Sequence, residues 1–264
     1  MNANGDRTGG EDGSRGERMA GERNGSLPIP VSNGTVRATY DRWATGYART
    51  VARLEAPSKR RALDLLDLAP GARVLDVGCG PGLTLSDLAV RVGEDGAVYA
   101  LDASPRMLVE AAGRVRPEAR PRVQASGDAG RISFVRGDAR DLPVADGALD
   151  AVVAFDVLEL FDRAALRSVL AEIRRVLAPG GALCAVTMDR AGVENAAFVR
   201  AYEWAYRHVP GFARVGCRPF NVASAIRGAG FAIEAVERSR RAGVWPVVTV
   251  RCSSSRSDRA ERDP

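Results

Sequence analysis

The sequence predicts an α/β fold built on a doubly wound sheet of seven strands, mostly parallel with an antiparallel last strand. Two observations favour this fold class. Short apolar runs rich in β-branched residues alternate with longer stretches of helical periodicity, which is typical of a parallel sheet covered by helices. A glycine-rich turn also follows the first of these runs directly. With 264 residues, 45% of them hydrophobic, the chain can bury one large core.

Seven strands and the helices between them follow from the apolar pattern. The predicted strands are 73–77, 97–101, 132–136, 149–154, 182–188, 231–237 and 244–251. The helices predicted between and after them are 83–92, 105–115, 163–177, 195–207 and 222–227. Right-handed crossovers are expected where parallel strands are joined. Residues 116–131 contain Gly and Pro breaks without periodicity, which predicts a surface loop.

Both ends of the chain differ in composition from its centre. Residues 1–34 are rich in Gly, Arg, Glu, Asn and Ser and lack hydrophobic periodicity, and residues 253–264 have the same character. Such segments bury too little surface to offset the entropy of ordering, so both are predicted to be disordered tails. A single domain is predicted over 35–252, in which 35–68 forms two helices ahead of the first strand.

The net charge of +5 and the pI of about 9.4 raise nucleic acid or an anionic membrane as partners. Lys59 is the only lysine, and many of the arginines lie close to Asp or Glu in the sequence. This distribution favours a solvated surface of mixed charge. The arginine-dense stretch 207–241 leaves open an anionic acceptor or a transient contact with a lipid surface.

Four cysteines occur without a CxxC pair or a companion histidine, so neither a metal site nor a disulfide framework is predicted: Cys79, Cys184, Cys217 and Cys252. No apolar run approaches the roughly 18 residues that span a bilayer, and the first residues lack the apolar segment of a secretory signal. A cytoplasmic protein is expected.

The segment after the first strand is the most informative part of the sequence. Gly78, Gly80 and Gly82 alternate there, between a predicted buried strand and a predicted helix. Glycine lets the backbone turn tightly and approach a ligand closely, and the N-terminus of the following helix directs N–H groups toward the loop. A nucleotide-like ligand is the functional interpretation. Close packing alone is the alternative.

An acidic residue ends the second predicted strand. Asp102 lies twenty positions beyond Gly82, where a carboxylate can accept hydrogen bonds from both hydroxyls of a ribose. The alternative role is to cap the next helix, which Ser104 and Pro105 could serve instead. Leu83 occupies the position of the third glycine in the dinucleotide pattern, which counts against NAD or FAD.

These segments resemble the sequence motifs of a known enzyme family. Residues 74–82, VLDVGCGPG, resemble motif I of the class I S-adenosylmethionine-dependent methyltransferases, and 101–108, LDASPRML, resemble their second-strand motif. Further similar segments follow in order at 137–139, 142–143, 149–153 and 176–183, so the resemblance covers roughly 40–251. It implies a Rossmann-like sheet and S-adenosylmethionine as the cofactor.

The resemblance also implies the residues that bind this cofactor. Those expected near its methionine end are Gly78, Cys79, Gly80 and Phe155, with Asp76 orienting the loop or the amino group. Asp138 is expected to hold the adenine amino group and Ala139 to add a backbone contact. The second-strand motif contributes Asp102, Ala103 and Met107.

Residues 40–47, YDRWATGY, resemble the N-terminal lid of the group that contains the ubiquinone and menaquinone biosynthesis methyltransferases. Tyr40 or Tyr47 would then close over the sulfonium centre. Alternatively, both aromatics belong to the buried face of an amphipathic helix. After the fourth strand, Phe155-Asp156-Val157 replaces the small or polar residues usual in the family, which implies an acceptor pocket of different shape.

The predicted activity is methyl transfer to a small molecule that is quinone-like, a lipid headgroup or a natural product. Nucleic acid is disfavoured because residues 154–157 do not match the tetrapeptide of base-modifying enzymes. A nicotinamide-dependent oxidoreductase and a non-catalytic cofactor-binding module are the alternatives. No catalytic residue is assigned. The candidates for a general base are His208, the only histidine, with Asp156 and Glu159.

Overall fold

The computed structural model describes residues 32–115, 132–194 and 196–254. The helices in these ranges are α1 (Asn33–Arg49), α2 (Val51–Leu66), α3 (Leu85–Val92), α4 (Pro105–Arg114), α5 (Arg163–Val176), α6 (Ala197–His208) and α7 (Val222–Gly228). The strands are β1 (Arg73–Val77), β2 (Ala97–Asp102), β3 (Ile132–Arg136), β4 (Leu149–Phe155), β5 (Leu177–Met188), β6 (Phe231–Arg241) and β7 (Trp245–Ser254). The predicted loop 116–131 and most of both predicted tails lie outside the described residues.

The seven strands form one sheet in the order β3-β2-β1-β4-β5-β7-β6. Strand β7 runs antiparallel to both β5 and β6, and the other pairings are parallel, which confirms the predicted fold class. From β1 the chain first winds outward to β3 and then returns to β4 on the other side of β1. The carboxyl ends of β1, β2 and β4 therefore surround the point where the winding reverses, which is where such sheets bind ligands.

Several predicted boundaries are wrong near the chain ends and around the last hairpin. Helix α1 begins inside the predicted tail 1–34, and β7 includes Ser253 and Ser254, which were predicted to belong to the C-terminal tail. Strand β6 continues four residues past the predicted 237, and its register pairs Arg241 with Trp245. The residues added to both strands, from Arg238 to Arg241 and at Ser253 and Ser254, are polar, so no apolar pattern marks residues that backbone pairing holds in the sheet.

Two apolar clusters cover the two faces of the sheet. Alternate residues of each central strand point to opposite faces, as the pleat requires. One cluster packs the sheet against α5 and α7, and the other packs it against α2, α3 and α4. Because both faces are covered, β4 and β5 are apolar along almost their whole length. None of the helices in the described ranges has the length and apolar character needed to cross a bilayer.

Leu183 on β5 tests the contribution of this core, because its side chain is completely buried. Leu183→Ala should lower the free energy of unfolding by about 2–5 kcal/mol, through lost apolar contact and a residual cavity. Urea denaturation measures this change. Val109→Ala is the control, since Val109 is 73% exposed and its loss should change the free energy by less than about 0.5 kcal/mol. Equal effects of the two substitutions would contradict the assigned core.

Candidate functional site

A cavity of about 220 Å³ opens at the carboxyl ends of β1, β2 and β4. It is lined by part of α1, the glycine-rich loop and the segments that follow β2, β3 and β4. Nine of the residues predicted to bind the cofactor line it: Gly78, Cys79, Gly80, Asp102, Ala103, Met107, Asp138, Ala139 and Phe155. Segments far apart in the sequence therefore meet at one site, where the sheet topology places a ligand.

The glycines of the loop serve two physical purposes. Gly78 has a φ of 68°, and a Cβ at this position would lie 2.5 Å from the Cγ2 atom of Val157, so only glycine allows the loop to pack beside the end of β4. Gly80 has a φ of 52°, and a Cβ there would meet no atom within 4 Å. The close-packing alternative therefore holds for Gly78, whereas Gly80 borders the open cavity.

Backbone hydrogen bonds hold the loop against β2. The N–H groups of Gly78 and Cys79 both donate to the carbonyl oxygen of Leu101, at N···O distances of 2.8 and 3.0 Å. The N–H of Gly80 donates to Oδ2 of Asp102 at 2.9 Å. These three N–H groups are thus satisfied within the protein, and they position the loop rather than point unpaired into the cavity.

Asp102 lies at the edge of the cavity with its carboxylate held by two backbone groups. In addition to the bond from Gly80, Oδ1 accepts from the N–H of Ser104 at 2.8 Å. Burial raises the pKa of Asp102, and the two N–H donors partly oppose this shift. Ser104 is the N-cap of α4, since its Oγ accepts from the N–H of Met107. The capping alternative for Asp102 is therefore wrong, and its carboxylate keeps lone pairs for a ligand.

Asp76 lies behind the loop. It is 2% exposed, and its Oδ2 accepts a hydrogen bond of 2.9 Å from the hydroxyl of Thr84, at the start of α3. Burial raises the pKa of Asp76 to about 6, against the opposing effect of the Thr84 hydrogen bond. Because Asp76 does not line the cavity, this geometry favours its loop-orienting role over contact with an amino group.

Asp138 lines the opposite end of the cavity and is paired with an arginine. Both of its carboxylate oxygens accept hydrogen bonds from the guanidinium of Arg140, which lowers the pKa of Asp138. Arg37 from α1 also lines the cavity and lowers this pKa further. Sequence reasoning missed both arginines, because neither belongs to a motif and only the fold brings Arg37 to this side.

Helix α1 covers part of the cavity. Gly34, Val36, Arg37 and Tyr40 line it, and the Oγ of Ser104 donates to the carboxylate of Asp41, which ties α1 to the start of α4. The Tyr40 hydroxyl lies 3.3 Å from the Sγ of Cys217. Of the two tyrosines considered for the lid, Tyr40 is therefore a wall residue. The side chain of Tyr47 lies outside the described part of the structure.

The three candidate bases occupy different environments. Asp156 lines the cavity, and its carboxylate is paired with Lys59 and Arg241. Glu159 is 1% exposed and does not line the cavity; its Oε2 accepts a hydrogen bond of 2.6 Å from Thr187. His208 is exposed at the end of α6, where its ring stacks on Trp204. Only one of the three thus reaches the cavity. Lys59, which sequence reasoning treated only as the single lysine, reaches it as well.

Comparison with known proteins extends this description. Residues 74–181 match the family described as a methyltransferase domain. The chain is 35% identical over 142 residues to the nocamycin O-methyltransferase of Saccharothrix syringae, covering 54% of this chain and 47% of that protein. It is 36% identical over 124 residues to the demethylmenaquinone methyltransferase of Bacillus mycoides (strain KBAB4), covering 47% of each. The chain thus spans about half the length of the curated relatives it matches.

The fold is also similar to solved structures. The 1,6-didemethyltoxoflavin-N1-methyltransferase of Burkholderia thailandensis, solved with S-adenosylhomocysteine, superposes with a TM-score of 0.62 at 20% identity and covers 87% of this chain and 95% of that one. At this identity the likeness concerns the fold alone. The sheet order, the glycine-rich loop and the family match over residues 74–181 together show that this chain resembles the class I S-adenosylmethionine-dependent methyltransferases, the ubiquinone and menaquinone biosynthesis methyltransferases among them.

Proposed function

We propose that the protein transfers a methyl group from S-adenosylmethionine to a small-molecule acceptor. The observation that carries this proposal is the convergence of the glycine-rich loop, Asp102 and the Asp138-Ala139 segment on one cavity at the reversal point of the sheet. The bound cofactor supplies an electrophilic methyl group on its sulfonium. The carboxylate of Asp102 has lone pairs that suit the ribose hydroxyls. The open space at Gly80 suits the methionine end, and the Asp138–Arg140 pair suits the adenine.

The residues of the chain act mainly by positioning. Asp102 would accept hydrogen bonds from the ribose hydroxyls, and Asp138 with Ala139 would orient the adenine. Gly78, Gly80 and the backbone at Phe155 would surround the methionine end, while α1 keeps water from the reacting centre. Holding donor and acceptor in near-attack geometry can lower the barrier by about 7–11 kcal/mol, so methyl transfer does not require a dedicated base.

A small molecule is the acceptor class that the cavity supports best. Val36, Leu160 and Phe161 add an apolar wall beside the predicted cofactor residues, which suits an apolar or aromatic acceptor. The named relatives act on small molecules as well, a nocamycin O-methyltransferase and a demethylmenaquinone methyltransferase among them. Nothing in the described site favours nicotinamide binding, and Leu83 still counts against it.

The surface charge disfavours nucleic acid as the acceptor. Several arginines of the described surface are paired individually with carboxylates: Arg61–Glu237, Arg91–Asp64, Arg175–Glu172, Arg190–Glu203 and Arg238–Asp189. A nucleic-acid-binding face presents arginines free to meet phosphates. Mixed charge of this kind supports a small substrate.

A transient contact with an anionic membrane surface and a cytoplasmic location both stay predictions. The feature that supports membrane contact is Trp204, which is 59% exposed on α6 between the exposed arginines Arg200 and Arg207. An exposed indole flanked by cations is typical of side chains that reach the headgroup region.

Calorimetric titration with S-adenosylmethionine, S-adenosylhomocysteine and NAD tests the proposed function directly. We expect the two sulfur nucleosides to bind and NAD not to bind. Binding of NAD without a response to either nucleoside would instead support the oxidoreductase. Incubation with methyl-labelled cofactor and a cell extract then identifies the acceptor from its labelled product.

Asp102→Ala should weaken S-adenosylmethionine binding by about 1–3 kcal/mol, because charge-assisted hydrogen bonds to the ribose are lost. The dissociation constant from calorimetry measures the effect. Asp95→Ala is the matched control, since Asp95 is exposed just before the other end of β2. An unchanged dissociation constant in Asp102→Ala would contradict the ribose-binding role.

Glu159 should act on stability rather than on catalysis. Burial raises its pKa to about 8, with a further contribution from the charge of Asp156, whereas the unfolded value is about 4.3. At a pH between these two pKa values, Glu159 keeps a proton in the folded protein that it has released in the unfolded chain. The contribution of Glu159 to the free energy of unfolding therefore falls as the pH rises from about 5 to 8.

Glu159→Gln removes this titration and keeps an oxygen that can accept from Thr187. Relative to the parent protein, its free energy of unfolding should increase by about 2 kcal/mol between pH 6 and pH 8, measured by urea denaturation at pH 6, 7 and 8. Glu172→Gln is the control, because hydrogen bonds from Arg175 lower the pKa of Glu172. The offset, which is the difference in free energy of unfolding between variant and parent, should therefore stay constant from pH 6 to pH 8. A constant offset for Glu159→Gln as well would refute the assignment.

A further inference from the structure

Most of the charged groups in the wall of the cavity are already paired. Among the described residues that line it, the charged ones are Arg37, Lys59, Asp102, Asp138, Arg140 and Asp156. Two neutral ion pairs account for four of them, with N···O distances of 3.4 Å for Lys59–Asp156 and 2.6 Å for Arg140–Asp138. The charges still available to a ligand are therefore those of Asp102 and Arg37.

Arg37 is a cation of the wall whose guanidinium is not held by the described part of the chain. Its side chain is exposed, and it forms no ion pair or hydrogen bond with any residue that the structure describes. Its charge lowers the pKa of Asp138, so Arg37 lies toward that end of the cavity. Both oxygens of Asp138 already accept hydrogen bonds from Arg140, however. Arg37 thus has no counterion of its own within the described residues.

Arg37 also lies beside the apolar wall of the cavity. It directly follows Val36 on α1, and the side chains of Val36 and Leu160 meet next to Gly216. A Cβ at Gly216 would lie 3.0 Å from Cγ1 of Val36 and 3.4 Å from Cδ2 of Leu160. An acceptor that lies against this wall is therefore within reach of the long side chain of Arg37.

The cofactor itself offers no partner to Arg37. In the proposed function its ribose belongs to Asp102, its adenine to Asp138 and Ala139, and its methionine end to the glycine-rich loop. The cofactor also carries a net positive charge because of its sulfonium. A negative charge that meets Arg37 must therefore come from the second ligand of the cavity, which is the acceptor.

We propose that Arg37 recognises an anionic oxygen group, a carboxylate or a phosphate, on an acceptor whose apolar body lies against Val36, Leu160 and Phe161. This inference rests on the proposed function and deepens it, because it narrows the acceptor to an acidic small molecule. A guanidinium presents its N–H donors in a fixed fork that fits two oxygens of either group. The anion also offsets the charge of the sulfonium. Because Arg37 lies toward Asp138, the group that it holds serves recognition and is not the atom that is methylated.

Calorimetry on the protein saturated with S-adenosylhomocysteine tests this role with three probes that share one apolar body: 2-naphthoate, 2-naphthyl phosphate and the neutral 2-naphthamide. The parent protein should bind at least one of the two acids about tenfold or more tightly than the amide, and the preferred acid identifies the group. Arg37→Gln should bring the acids and the amide within about twofold of each other and leave the affinity for the amide unchanged. Arg37→Lys keeps the charge without the fork, so it should retain an intermediate preference.

Arg42→Gln is the matched control, since Arg42 is exposed on the same helix and does not line the cavity. Its preference for the acid should equal that of the parent protein. Circular dichroism checks that each variant is folded, which we expect because Arg37 makes no contact of its own with a carboxylate.

An undiminished preference for the acid in Arg37→Gln overturns the role of Arg37 while the proposed function stands. Absence of any preference for either acid in the parent protein has the same consequence. Weaker binding of S-adenosylhomocysteine by Arg37→Gln, with the preference among the probes unchanged, assigns Arg37 to the cofactor and also overturns the inference. Failure of the parent protein to bind S-adenosylhomocysteine overturns the proposed function itself.

Discussion

The carbonyl oxygen of Leu101 is the atom on which the geometry of the site depends. It accepts hydrogen bonds from the N–H groups of both Gly78 and Cys79. The carboxylate of the next residue, Asp102, accepts one from the N–H of Gly80. The end of β2 thus holds the loop that follows β1 through three consecutive N–H groups. Because the loop and the carboxylate are joined in this way, neither can move without the other. Positive φ values at Gly78 and Gly80 make this pairing sterically accessible.

The charged residues at the two ends of the cavity differ in their exposure to solvent. At one end Asp138 and Arg140 form a pair that is nearly half exposed, so solvent screens it and it contributes little to stability. At the other end Lys59, Asp156 and Arg241 are buried, and each is paired with a group of opposite charge. Specific recognition of a charged ligand group is strongest where water is excluded. The buried end is therefore the one at which loss of a single partner has the largest consequence.

The buried charges also connect parts of the fold that are remote in the sequence. Lys59 belongs to a helix that precedes the sheet, Asp156 follows β4, and Arg241 ends β6. Asp156 adopts a left-handed φ of 56°, a conformation that aspartate tolerates better than most residues other than glycine. The wall of the cavity at Lys59 and Asp156 is thus in contact with α2 and with the β6–β7 hairpin.

The sequence by itself determined the α/β class, the bounds of β1 and β3 and the cofactor motifs, because periodicity and turn chemistry are local properties. The glycine-rich loop and Asp102 are recognisable for the same reason, since each directly follows a predicted strand. Only the tertiary structure decided that Lys59, Asp156 and Arg241 meet, that Ser104 rather than Asp102 caps α4, and that polar residues up to Ser254 belong to the sheet. These features arise from long-range packing and backbone pairing, which no local pattern of residues records.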